Sequence, residues 1–236
     1  GTHRTAVLNL TKTLIQHQVP FGVLTRKDLG RLSDYPVIVL SNLVVMRAEE
    51  TAALRDYVAR GGRLFVSGSC GLIDENGVVR PDFPLGDVLG VELEGEARER
   101  ITYVTPTDLA PALFAPYDVQ RPVTLNDKTL LVRPRPGAPT RTLATVTRPW
   151  TDPDGYAYAA LLTDPPAAQT TRHPALLENT FGAGRTLYAA GVVETWDHAS
   201  RRGVLVALLR HLHGRPFSVE AQAHPAVEIV TYEQPE

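Results

Sequence analysis

A single cysteine among 236 residues rules out an internal disulfide framework, and with it the small secreted scaffolds that depend on one. Charge of either sign is not in excess. The formal net charge is −2 and no basic block occurs, so the footprint expected for a nucleic-acid partner or an anionic membrane surface is missing. No apolar run approaches the roughly 20 residues of a bilayer-spanning helix, and no secretory leader pattern is present. These absences leave the compartment open, with the cytoplasm favoured over secretion. An initiator methionine is missing too. The chain starts at Gly1 and passes almost at once into a helical pattern, which reads as a piece of something longer.

What is present suits a globular core: 43% hydrophobic and 21% charged residues, enough for one large domain or a domain with an appendage. The 19 prolines and 18 glycines imply many loops, mostly between Pro106 and Pro166. The organising stretch is Tyr35 to Gly90. An apolar run, Pro36 to Ser41, precedes a polar-faced helical pattern, Arg47 to Arg60, with Ala53, Leu54, Tyr57 and Val58 on one side. Gly61 and Gly62 offer a left-handed stop. A second apolar run, Arg63 to Ser67, then opens into the glycine-bearing segment Gly68 to Gly77. Continuous apolar runs flanking an amphipathic helix predict two parallel strands, buried on both faces, with a crossover between them.

Elsewhere the spacing predicts a helix over Thr5 to Gln18, a short strand over Phe21 to Leu24, and one or two helical turns within Pro81 to Leu89, closed by Gly90. A sheet of this class ordinarily begins with a strand, so its first strand is expected upstream of Gly1. From Val91 to Pro166 the pattern changes to short β-leaning runs (Ile101 to Val104, Thr129 to Val132, Thr142 to Val146, Tyr156 to Leu162). Proline-rich turns and the Asp152 to Gly155 turn divide them, which predicts antiparallel strands or an inserted subdomain. Ala175 to Thr180 and Arg185 to Ala190 follow, joined by a hairpin at Phe181 to Gly184. A helix over Ser200 to His213 carries Val204, Leu205, Leu208, Leu209 and Leu212 as its stripe. The tail from Phe217 alternates weakly and is expected to begin a further β domain.

The order of these features, above all Cys70 to Val79, the close at Leu187 to Gly191 and the final helix, resembles the trimerisation domain of family 42 β-galactosidases and related multidomain glycoside hydrolases. The resemblance covers most of residues 3 to 215, more loosely in the proline-rich middle. It implies an α/β fold, a flavodoxin-like, class I glutamine amidotransferase-like three-layer sandwich with a β-rich insertion over about 95–166. Residues 1–216 would form the assembly domain and 217–236 the tail. It also implies a non-catalytic oligomerisation domain of a carbohydrate-active hydrolase, a homo-oligomer with a trimer as the namesake state. The partners implied are a glycoside hydrolase catalytic domain and that parent's carbohydrate substrate, with no nucleic acid, no membrane and no cofactor. The catalytic carboxylates would lie in a barrel of about 250 residues, for which this chain has no room.

Amidotransferase relatives place a nucleophilic cysteine in a Gly-x-Cys-x-Gly elbow, where a helix N-terminus lowers the thiol pKa. Gly68-Ser69-Cys70 fits the first half, but Leu72 stands where the second glycine belongs, and Asp74 to Gly77 reads as a turn rather than a helix start. No histidine stands two residues before Glu194, and His198 is the nearby substitute. Cys70 is therefore read as an ordinary small residue at a strand end, with a Cys70, His198, Glu194 hydrolase as the alternative. Adjacent Asp74 and Glu75 do not flank a glycosidic bond, whose carboxyl groups sit roughly 5–10 Å apart. They are read as turn formers, with lining of a neighbouring subunit's cleft as the alternative. Trp196, Asp197 and His198 follow a strand, where open α/β sheets tend to bind ligands. Trp196 is read as core or interface ahead of a sugar-stacking platform in a small-molecule or sugar-binding module. His211 and His213 splay on their helix, and His173, His198 and His224 are scattered, so no metal site is expected.

Overall fold

Thr2 opens the first helix of the chain by accepting the Thr5 amide on its hydroxyl, and α1 (His3–Gln16) follows. In this computed structural model, which describes residues 2–150, 166–221, 223–230 and 232, the elements after α1 run as follows. A 3₁₀ segment (Arg26–Asp34) leads into β1 (Val37–Ser41), α2 (Ala48–Ala59) and β2 (Arg63–Ser67). Next come α3 (Gly86–Leu89), β3 (Val91–Glu96), β4 (Thr102–Pro106), a 3₁₀ turn (Pro111–Phe114) and β5 (Val123–Leu125). The chain continues through β6 (Leu130–Pro134), β7 (Arg141–Pro149), β8 (Ala167–Phe181) and β9 (Gly184–Ala189), then α4 (Ala199–His213).

Seven strands form one sheet in the order β1-β2-β9-β8-β7-β4-β5, and β3 and β6 form a separate antiparallel pair. The expected β-α-β unit is present. β1 and β2 are parallel, with Val39 opposite Phe65, and β2 is parallel to β9, with Phe65 opposite Leu187. Beyond β9 every neighbour is antiparallel, so the sheet is mixed where a parallel one was expected. The physical reason is the two-residue hairpin at Gly182 and Ala183, which returns β9 directly against β8 and fixes the opposite sense.

Side chains alternate strictly across the parallel part. Phe65, Leu187 and Ala189 face one core with Leu10 and Leu14 of α1, Phe114, and Val204 and Leu208 of α4. Leu64, Val66, Tyr188 and Ala190 face a second core with Leu54 and Val58 of α2, Val88 of α3, and Leu130 and Val132 of β6. The crossover helix α2 stops where the glycines predict. Gly61 adopts φ +108°, a left-handed conformation that costs a side-chain-bearing residue energy, and its amide donates to the Val58 carbonyl at 2.9 Å.

Two expected strands differ. Phe21 to Leu24 forms no strand and joins no ladder among the described residues, because the free edge of β1 faces it across a groove. The described tail residues form no strand, and Val227, Ile229 and Val230 are exposed. The run Tyr156 to Leu162 and the Asp152 to Gly155 turn lie outside the described residues.

Phe65 is fully buried at the middle of the parallel strands. Phe65→Ala is expected to cost about 3–5 kcal/mol of unfolding free energy, the usual penalty for an emptied aromatic site. Denaturant melts of the two proteins check this.

Candidate functional site

The carboxyl ends of β1, β2 and β9 converge on a set of buried polar groups. Ser67, the last residue of β2, donates its hydroxyl to Glu194 Oε1 at 2.7 Å and accepts the Asn42 amide at 3.1 Å. Asn42 follows β1 in a left-handed conformation (φ 48°), which asparagine tolerates better than most residues, and its Oδ1 accepts the Ser69 amide at 3.0 Å. Gly68 turns the chain at φ +62°, where a Cβ would lie 2.6 Å from Asn42 Oδ1, so the position admits only glycine without a shift. Tyr188 closes the set by donating its hydroxyl to the Gly68 carbonyl at 3.1 Å.

Cys70 is buried beside this network. Burial pushes its thiol up to about 12, with the Glu194 and Glu50 carboxylates adding to the rise, while the Leu43 backbone opposes it. That is the reverse of nucleophile activation, which needs a stabilised thiolate. Glu194 is fully buried as well, and burial raises its pKa to about 7 against the opposing Ser67 hydrogen bond. His198 does not join them: it is exposed, caps α4, and pairs through Nδ1 with the Ser200 hydroxyl at 2.8 Å, which in turn bonds Tyr117 at 2.7 Å. The geometry therefore brings Cys70 and Glu194 together in a dry interior and leaves His198 at the surface.

Asp74 acts as the turn former. Its Oδ1 accepts the Asn76 and Val78 amides, both at 2.8 Å, while Glu75 is exposed at the tip. Exposed Val78 and Val79 follow it on the return arm. Trp196 is buried in the core, with Nε1 donating to the Thr124 carbonyl at 3.0 Å, so its ring has no open face for stacking on a sugar. Asp197 stands exposed beside it. His211 bonds the buried Glu178 at 3.0 Å, which also pairs with Arg141 at 3.2 Å, while His213 bonds the Arg215 carbonyl. No cluster able to hold a metal ion occurs among the described residues. No helix among them is long and apolar enough to cross a membrane.

A feature missed in the sequence is a groove of about 1100 Å³ along the free edge of β1. Val7, Leu10 and Leu14 of α1 line one wall, and Leu29, Leu32 and Leu54 the other. The signal was available in the run Val37 to Leu40, apolar at every position, which suits a strand with neighbours on both sides rather than one at an edge.

Two outcomes follow from the dry strand ends. Native Cys70 should react with a thiol reagent about 100-fold or more slowly than the unfolded chain, since the thiolate and not the thiol is the nucleophile. Equal or faster native labelling contradicts this. For Glu194, the unfolded chain ionises near the ordinary value of 4.5 and the folded chain near 7. Between those values the folded state holds a proton that the unfolded state has lost, so stability falls as pH rises through that window. Glu194→Gln should flatten this dependence, and the wild-type change it removes is on the order of 3 kcal/mol. Denaturant melts between pH 4 and 8 read it.

Comparison with known proteins gives the setting of this geometry. Residues 2–106 match the family model of the β-galactosidase trimerisation domain. Among solved structures, the β-galactosidase from Bacillus circulans sp. alkalophilus superposes with a TM-score of 0.67 at 15% identity, over 91% of this chain and 28% of that one. The β-galactosidase from Rahnella sp. R3 gives 0.66 at 19% identity, over 93% and 28%. The α-L-fucosidase isoenzyme 2 from Paenibacillus thiaminolyticus gives 0.67 at 18% identity, over 89% and 29%. The chain spans less than a third of the length of these proteins. Over residues 2–106 the chain is thus similar to the β-galactosidase trimerisation domain, and nearly all of it shares its fold with part of those longer glycosidases.

Proposed function

We propose that this chain is a non-catalytic assembly domain of a carbohydrate-active hydrolase resembling a β-galactosidase, whose catalytic barrel lies outside the chain. The observation that carries this reading is the match of residues 2–106 to the trimerisation domain. The strand ends support it from the chemical side. The position where a nucleophile would sit holds a buried thiol raised to about 12 and a buried carboxyl, with His198 left at the surface. A Cys70, His198, Glu194 hydrolase would need a thiol held as thiolate and an imidazole in reach.

The finer fold reading belongs with this proposal. A parallel trio with α1 and α4 on one face and α2 on the other agrees with a flavodoxin-like, class I glutamine amidotransferase-like sandwich. In it, residues 1–216 form the assembly domain, about 95–166 an elaboration of it, and 217–236 a tail leading towards a further domain. The turn at Asp74 and Glu75, with exposed Val45, Val78 and Val79 around it, is the surface proposed to meet a neighbouring subunit near its cleft. The parent's substrate is then a glycoside, its sugar set by the barrel and not by this domain.

The test is light scattering on the longer enzyme that carries this chain, with and without residues 1–216. A trimer that falls to monomers on deletion is expected. An oligomeric state unchanged by the deletion overturns the assembly reading.

A further inference from the structure

The groove beside β1 has the architecture of a vacant strand position. β1 is five residues long and forms one end of the sheet, so half of its backbone groups face the groove without a ladder partner. On the far side lies Phe21 to Leu24, which joins no ladder among the described residues. The walls come from both layers, α1 above and α2 with the 3₁₀ segment below. Chain laid between them would be covered on both faces, as β2 is.

The placement of α1 gives the direction. Its first residue lies at the carboxyl end of β1, where His3 Nδ1 is 2.8 Å from the Ser41 carbonyl oxygen. A helix that starts at the carboxyl end of a parallel sheet follows a strand that ended there. Parallel crossovers are right-handed in nearly every case, so crossovers that step in opposite directions along a sheet carry their helices on opposite faces. From β1 to β2 the step goes one way with α2 on one face. From the groove outward to Phe21–Leu24 the step goes the other way, and α1 lies on the opposite face. A strand in the groove, parallel to β1 and leading into α1, satisfies the rule.

We propose that the groove receives an extended, uncharged segment of about five residues, roughly 17 Å long, which pairs parallel to β1 and runs directly into α1 within a polypeptide longer than this chain. Burial on both faces calls for an apolar side chain at every position, β-branched by preference. The tail of the chain, in the same or a second copy, fits poorly. Its apolar residues Val227, Ile229 and Val230 are interrupted by Glu228, which the pleat would drive into one apolar wall. This proposal rests on the groove and not on the assembly reading, and either can fail without the other.

The experiment compares the 236-residue chain with two N-terminal extensions, each a five-residue strand and a short turn before Thr2. One strand is built of valine, isoleucine and alanine, and the other carries lysine at two of those positions. The apolar extension should raise Tm by about 5 °C or more and slow hydrogen exchange in 37–41 about 10-fold or more, and the lysine extension should do neither. If the unextended chain does not melt cooperatively, the same comparison is read as recovery of a cooperative melt. Val7→Asp, at a half-buried groove residue, should abolish the difference in melt between the extended and unextended forms of that variant. Equal effects from both extensions, or none from either, overturn the proposal. So does protection of β1 in the unextended chain that rises with concentration alongside a dimer, which assigns the groove to a second copy.

Discussion

Leu64, Phe65 and Val66 are consecutive and all fully buried, a condition met only when both faces of β2 are covered. The rest of the architecture follows from it. One face needs α1 and α4, the other needs α2 and the β3–β6 pair, and the connections between them must run over the ends of the strands. Each fully buried aliphatic or aromatic side chain contributes about 1.5–3 kcal/mol relative to exposure, so the parallel trio outweighs any surface contact in the molecule. The surface ion pairs, such as Arg31 with Asp34 and Arg60 with Asp56, are exposed and contribute little by comparison.

Double coverage also dries out the strand ends. Glu194 lies at the end of β9 with no accessible surface, and the same burial that closes the sheet raises its pKa towards neutrality and that of Cys70 far above it. The polar groups there do structural work. Ser67, Asn42, Ser69 and Tyr188 hold the ends of three strands together by hydrogen bonds. In an amidotransferase-like site the same position needs an exposed thiolate at a helix N-terminus. Here the chain after Cys70 goes into the Asp74 turn instead, so neither the helix dipole nor water reaches the sulfur.

The parts of the fold governed by local patterning were legible in the sequence. β1, α2, the Gly61 stop and β2 lie where apolar runs and glycines put them, because doubly buried strands announce themselves as unbroken apolar runs. The hairpin at Gly182 and Ala183 was equally plain, yet its consequence for strand sense, a mixed sheet, depends on which strands become neighbours. Periodicity carries no such information. Phe21 to Leu24 has β-leaning residues, but a strand exists only by pairing, and these residues face a groove. At the candidate site, the turn role of Asp74 followed from its neighbours Asn76 and Gly77. The burial of Trp196 depends on Thr124, 72 residues away, and no local signal carries that contact.

The two edges of the sheet differ in a way that bears on assembly. At one edge β5 is only three residues long, all buried, and Pro122 precedes it, so little unpaired backbone is offered to another chain. At the other edge β1 offers five residues, apolar throughout except for Ser41, with an apolar wall on each side. Leaving such an edge in water forfeits the burial that its side chains could provide and invites indiscriminate pairing. A sheet that protects one edge by brevity and leaves the other suited to a partner strand is built for completion at that second edge. The order of elements around it, a helix beginning where a parallel strand would end, favours completion from within the same polypeptide. A domain finished by its own upstream chain is also held in fixed register to whatever precedes it. For an assembly domain, that fixed register is what would let contacts between copies orient a catalytic domain.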